Sequence, residues 1–231
     1  MEEKDIEQIV LRDFEISNAY QKVFQSQGYI PVQMPDLCII NKLAWKSEKE
    51  YLQRLSKKSR KHFKKDIEAY QTLVTIEIVS KVNQEQLEIF YQLYKNVKEK
   101  NLDLNTFLYP KKVFEHMNIS QAWEFILLYP KEKMKGSSDP IGVMFCFKGN
   151  KPSYVPSLVG LNYEFNHQYQ TYRQLLYESI KRAGTLDYKN VDFGISASFE
   201  KRKLGAEVLP QIAYIQAKNN FKLDYIESQI Q

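Results

Sequence analysis

The chain has 231 residues, 43% of them hydrophobic and 13% aromatic, which describes an ordinary globular core and excludes a disordered or low-complexity protein. Its formal net charge of +5 is concentrated in one place: residues 53–65 hold seven basic side chains and no acidic one, leaving 26 basic against 28 acidic in the remainder. The length suits one large domain, or one domain with a part-domain beside it.

Cys38 and Cys146 lie far apart in apolar runs, with no CxxC and no Cys/His cluster, so reduced thiols are expected and a disulfide framework or a zinc site is not. The start, Met1-Glu2-Glu3-Lys4-Asp5, lacks the apolar core of a signal peptide. No apolar run approaches the roughly 18–20 residues of a membrane span. A soluble cytoplasmic protein is expected.

In chain order, Val10–Phe14 suits a strand. Asn18–Gln27 reads as a helix, with Ser17 as a candidate cap and Gly28 as its stop. Tyr29–Gln33 and Leu37–Leu43 read as two strands separated by Pro35-Asp36. Ser47–Gln71 reads as one long helix, opened by a capping box of Ser47 and Glu50. Leu73–Ser80 alternates as a strand, with Val74, Ile76 and Ile78 on one face. Helices follow at Asn83–Asn101 and Pro110–Met117. Strands are predicted at Trp123–Tyr129, Ile141–Lys148 and Tyr154–Leu161, then a helix over Tyr169–Ala183 stopped by Gly184.

The stretch Asp187–Pro210 reads as strand, turn, short basic helix, glycine turn, strand. Ser196 or Ser198 can cap the helix Phe199–Leu204, and Gly205 stands where a helix C-terminus tolerates positive φ. Asn219–Gln231 is a polar tail.

The spacing Lys201-x-x-Leu204-Gly205, after Asp192-Phe193-Gly194, resembles the lysine-x-x-apolar-glycine turn of Fem-type acyltransferases, a branch of the GNAT (GCN5-related N-acyltransferase) superfamily. Leu55-Ser56-Lys57-Lys58-Ser59-Arg60 is similar to the Leu-Ser-x-Lys-x-Arg helix that these proteins place between their domains. From Leu73 the predicted order β-α-α-β-β-β-α-β-α-β is that of the GNAT fold. The resemblance implies an α/β (α+β mixed sheet) architecture with a complete GNAT-like domain over residues 73–218. Residues 1–72 would be an abbreviated N-terminal half-domain ending in the basic helix, and 219–231 a tail. Fem-type proteins carry two such domains in tandem, so the short first one is a departure.

The resemblance implies an acyl or aminoacyl group moved from an activated donor (acyl-CoA, acyl-carrier protein or aminoacyl-tRNA) to an amine, with no permanently bound cofactor and no metal. Lys201 is the candidate for steadying developing negative charge or a donor phosphate, beside the plainer reading of a solvated helix end. His167 is a candidate general base, or a loop histidine on a backbone group. Asp192 can orient an amine or form a turn. Tyr154 and Tyr163 are candidate cleft walls, or core. Arg60 and Lys64, one turn apart, are candidates for binding a phosphate-bearing partner. The same basic helix also reads as a solvated face or, less simply, a membrane-surface element. Residues 158–172 contain one glycine, where acetyl-CoA enzymes of the superfamily carry a glycine-rich pyrophosphate loop, which points to another donor. The alternative to an enzyme is a non-catalytic GNAT-like module recognising a phosphate-bearing or acidic partner through the basic helix.

Overall fold

The computed structural model describes residues 6–45, 47–100, 107–132, 139–149, 152–195 and 197–218. They form two compact units, residues 6–37 with 208–218, and residues 38–207. The boundary at 72/73 expected from topology falls inside the second unit, and the polar tail lies outside the described residues.

The first unit carries β1 (Gln8–Glu15), α1 (Gln21–Ser26), most of β2 (Ile30–Ile40) and β8 (Glu207–Ala217), in sheet order β1-β8-β2. β1 and β8 are antiparallel, with a bulge between Leu11 and Phe14. Phe14, Phe24, Tyr29 and Tyr214 pack as a ring cluster, with Phe24 and Tyr214 centroids 4.7 Å apart. Two expectations change here. α1 begins after Tyr20 with no side-chain cap, so Ser17 is not its cap. The two strands expected around Pro35-Asp36 are one, because an extended proline forfeits only its own N–H.

The second unit has strand order β2-β7-β6-β5-β4-β3, with β3 at Val74–Val79, β4 at Trp123–Pro130, β5 at Gly142–Phe147, β6 at Ser153–Leu161 and β7 at Asn190–Asp192. β3 to β6 form an antiparallel meander. β7 runs parallel to β6, and Ile39 and Ile40 of β2 pair antiparallel with β7. Both faces of the meander are covered, which is why β4 and β5 read as unbroken apolar runs. On one face Phe125, Leu127, Val143 and Phe145 meet Leu87, Phe90 and Tyr94 of α5 (Gln84–Lys100) and Phe114 of α6 (Lys111–Ile119). The other face receives α8 (Thr171–Thr185), whose Thr171 and Leu175 press on Gly142.

α8 is buried on nearly every side, because α2 (Glu48–Arg54) and α3 (Lys57–Phe63) cover the face turned from the sheet. Tyr51 and Phe63 contact the Tyr177 ring, and Gln174 Nε2 donates to the Ile67 carbonyl at 2.8 Å.

The long helix expected over Ser47–Gln71 is therefore broken. Ser47 does accept from Glu50 N–H, but Leu55 turns extended and Ser56 restarts the helix by accepting from Ser59 N–H at 3.1 Å. α3 then widens into a π-helical turn, Lys64–Glu68, before α4 (Ala69–Gln71). The helix expected over Tyr169–Ala183 is α8, and a further helix not expected from the sequence, α7 (Tyr163–Tyr169), precedes it; the two meet at Gln170, which is left-handed with φ 51°. Gly184 lies within α8 rather than ending it.

One carboxylate is wholly enclosed. Glu124 on β4 receives both Arg182 Nε and Nη2, at 2.9 and 2.8 Å, and the Tyr154 hydroxyl at 2.7 Å, with Lys148 3.7 Å away. Burial alone would raise its pKa, yet the Arg182 and Tyr154 hydrogen bonds and the two cations hold it below the ordinary value. Cys146 and Cys38 are buried thiols that form no disulfide. Among the described residues, no helix is long and apolar enough to cross a membrane and no metal-ligand cluster occurs.

A Cβ on Gly160 of β6 would stand 2.8 Å from Leu93 Cβ, Tyr94 N and Val143 Cγ1, two of these contacts on α5. Gly160→Ala is expected to lower stability by about 1–3 kcal/mol, as overpacking does. The urea midpoint of the variant reads this directly, and an unchanged midpoint would mean that α5 is free to move off β6.

Candidate functional site

Phe193, Gly194 and Ile195 leave β7 as a turn, with Gly194 N–H donating to Asp192 Oδ1 at 2.8 Å. Asp192 thus serves as a turn-forming carboxylate. α9 (Ser198–Lys203) follows, opened by Ala197 in the left-handed region without a side-chain cap. Ser198 therefore caps nothing, and the other candidate, Ser196, lies outside the described residues. Its end is as expected. Gly205, at φ 89°, donates to the Arg202 carbonyl, and Ala206 donates to that of Lys201, a Schellman closure.

Lys201 does not point to solvent with its basic neighbours. It is 3% exposed, and its ammonium donates to the carbonyls of Phe193 and Ile195, each at 2.8 Å. Two of its three protons are so engaged, and one remains for a ligand. The residue lines a small cleft of about 80 Å³ with Ser157, Leu158, Tyr172 and Ile195.

The cleft exists because two parallel strands separate. β6 and β7 pair only at Ser153–Asn190 and Tyr154–Val191. Beyond Tyr154, β6 continues to Leu161 while β7 ends at Asp192, so that edge of β6 has no strand partner among the described residues. On its other side β6 is bulged against β5: Phe145 pairs with Leu158 and Cys146 with Pro156, leaving Ser157 as the extra residue. Ser157 is exposed in the cleft.

A second hollow, of about 230 Å³, shares Tyr172 with the first and adds His167, Arg173 and Glu200. His167 is exposed on α7, not in a loop as expected. Arg173 grips Glu200 with Nε at 2.6 Å and Nη2 at 2.9 Å, tying α8 to α9 one residue from Lys201. The Arg173 hydrogen bond holds the Glu200 carboxyl below the ordinary carboxylate range, against its burial.

The remaining candidates fall elsewhere. Tyr154 is completely buried on Glu124 and faces neither hollow. The Tyr163 ring lies under Lys100 Nζ, 4.1 Å from its centroid. Arg60 donates to the Leu55 carbonyl at 2.6 Å and so closes the end of α2, whereas Lys64 is exposed. The Leu55–Arg60 pattern is thereby explained locally: its serine starts a helix and its arginine ends the one before. Lys57, Lys58, Lys61 and Lys65 are also exposed, and α3 packs against α9.

Sequence reasoning missed Ser157, Tyr172 and the Arg173–Glu200 pair, because a bulge and a contact between distant helices leave no local pattern. Glu124 did have a signal, a lone carboxylate in an apolar strand, which requires a buried partner.

No family model matches the chain, and no curated protein matches it. Solved structures do. The crystal structure of FemX matches over 95% of this chain and 74% of its own, at 12% identity and TM-score 0.61. L-PGS from Bacillus licheniformis matches over 96% and 72%, at 9% identity and TM-score 0.61. A GCN5-related N-acetyltransferase from Kribbella flavida matches over 92% and 68%, at 11% identity and TM-score 0.54. At these identities the likeness is one of fold.

Burial lowers the Lys201 pKa from 10.5 to about 8, against the opposing charges of Cys38 and Asp192. The folded chain therefore holds this proton less tightly than the unfolded one. The fold gains stability from this group as pH rises from about 8 towards 10.5, and over the same interval loses the cation. Titration of lysine side chains by ¹³C NMR is expected to show one midpoint near 8 that disappears in Lys201→Met. A Lys201 midpoint near 10.5 would contradict the burial.

Proposed function

From the Fem-like GNAT fold of this chain, we propose an acyltransferase that moves an acyl or aminoacyl group from an activated donor to an amine. The observation that carries this reading is the parting of β6 and β7 over a buried, charged lysine. The free edge of β6 beyond Tyr154 offers backbone N–H and C=O groups to an extended donor arm, as an added strand would use them. The bulge at Ser157 turns that edge into the cleft.

In the reaction the amine nitrogen attacks the donor carbonyl, the thioester or ester bond breaks, and the leaving group takes up the proton that the amine gives away. Lys201 supplies positive charge where the carbonyl oxygen becomes an oxyanion, in a site with little water. Asp192 keeps Lys201 protonated by its charge while its own Oδ1 is occupied by Gly194. His167, on the rim of the adjoining hollow, is the candidate proton acceptor, with Tyr172 as the shared wall and Tyr163 nearby on the same helix.

Several features argue against acetyl-CoA as the donor. The approach to α8 is filled by α7, and the α8 amide of Tyr172 already donates to Asn166 Oδ1 at 3.1 Å. One of the amides that would cradle a pyrophosphate is thus engaged. The exposed lysines of α3 and of the π-helical turn after it, Lys64 among them, instead favour a polyanionic carrier, an aminoacyl-tRNA or an acyl-carrier protein. Arg60 contributes through α2 and α3 rather than by direct contact. The two buried thiols suit a reducing compartment, and we place the protein in the cytoplasm.

A second reading is favoured by the two carbonyls on Lys201, which make it a fastener of the 193–195 turn: a non-catalytic module that binds its partner through α3. Native mass spectrometry against acetyl-CoA, palmitoyl-CoA, an acyl-carrier protein and total tRNA identifies the donor, and turnover with that donor decides between the readings. Lys201→Met is expected to lower turnover about 100- to 1,000-fold, the range for loss of one oxyanion group, with the thermal midpoint checked alongside. Retained donor binding with full turnover in this variant would remove Lys201 from the chemistry. Donor binding with no turnover in the parent protein would favour the module. Lys61→Glu with Lys64→Glu is expected to weaken capture of the polyanion and to flatten its salt dependence by about one unit of log–log slope per lysine.

A further inference from the structure

A hollow larger than the cleft at Lys201 also occurs in the second unit. It lies towards the other end of α8, has a volume of about 430 Å³, and is bounded by Trp45, Glu48, Tyr51, Tyr177, Lys181 and Asp187. We propose that it is a binding site for a small organic ammonium ion, of the alkylamine or basic amino-acid class.

Three features of the wall point to a cation. First, its two carboxylates, Glu48 and Asp187, are ion-paired to no described residue; Glu48 only accepts from the Tyr177 hydroxyl, in a short hydrogen bond. Second, two nearby cations among the described residues are already engaged. Lys181 Nζ bonds Glu178 Oε1 at 2.8 Å, and Arg54 lies over the Trp45 ring with Nη1 on the Lys42 carbonyl. Third, the hollow is at the C-terminal end of a 15-residue helix, where the backbone dipoles present negative charge. Aromatic rings complete the wall. The Trp45 and Tyr51 centroids are 5.0 Å apart, those of Tyr51 and Tyr177 5.8 Å, and such rings bind an ammonium with its carbon chain.

The wall is also held in place. The Tyr51 hydroxyl donates to the Leu204 carbonyl at 2.8 Å, so this ring cannot swing into the hollow and fill it. The Tyr177 hydroxyl fixes the Glu48 carboxylate. A ligand would meet a formed site and lose little to ordering it. The site shares no residue with the cleft at Lys201 and is independent of the chemistry there.

The test compares head groups on one carbon chain. Isothermal titration of the full chain with cadaverine, 1-pentanol and pentanoate is expected to give saturable binding for the diamine and at least tenfold weaker binding for the other two. Trp45 is one of two tryptophans, so fluorescence in a Trp123→Phe background localises the event. Glu48→Gln and Asp187→Asn remove charge with little change of shape. Glutamine keeps an oxygen for Tyr177, and asparagine tolerates the φ of 59° at position 187. The pair together is expected to weaken cadaverine at least tenfold. Equal binding of the alcohol, no saturable binding of the diamine, or an unchanged affinity in the folded double variant would each overturn the proposal.

Discussion

The candidate chemistry depends on one constraint: a parallel strand pair that holds for two residue pairs and then opens. A parallel ladder normally continues until one strand ends, and here β7 ends almost at once, at Asp192. The chain then turns under its own Asp192 cap and returns as α9. Opening the ladder exposes backbone groups on β6 that would otherwise be paired. It also gives Lys201 an environment of turn carbonyls instead of water, and that exchange lowers its pKa to about 8. The cleft, the bulge at Ser157 and the unusual lysine are consequences of one short strand.

α8 is the axis on which these features are mounted. Near its start, Arg173 grips Glu200 and so fixes α9 beside the cleft. Further along, Arg182 neutralises Glu124 inside the sheet. A charge pair so deeply enclosed is weak evidence for added stability, because desolvation offsets much of the attraction, but it allows few alternative registers between α8 and β4. The Tyr154 hydroxyl completes the carboxylate's shell, which removes that tyrosine from the cleft and assigns it to the core.

The two ends of α8 have different surroundings. Its N-terminal end adjoins the basic α3 and the lysine-bearing α9, a setting for anionic groups. Its C-terminal end carries Glu48 and Asp187 on aromatic walls, a setting for cations. A helix dipole reinforces both tendencies.

Local rules made much of the fold legible. Alternating or continuous apolar runs located β3 to β6, the 3.6-residue stripe located α5, and Gly205 located the end of α9, since each of these depends on neighbours a few residues away. The order of elements, with the short motifs around Lys201 and Leu55–Arg60, pointed to the Fem-like GNAT fold that the structure has. Where prediction erred, a tertiary contact had overruled a local preference. The helix after Ser47 breaks at Leu55 because its buried face must follow α8, and a proline expected to divide β2 does not, since extended backbone accommodates it. By itself the sequence determined the class of fold, the basic surface of α3 and the identity of the candidate lysine. Only the tertiary structure decided that this lysine is buried on two carbonyls, that Ser157 is bulged, that Arg60 closes a helix and that Tyr154 serves a carboxylate. Each of these is settled by partners tens of residues away, whose approach no local pattern encodes.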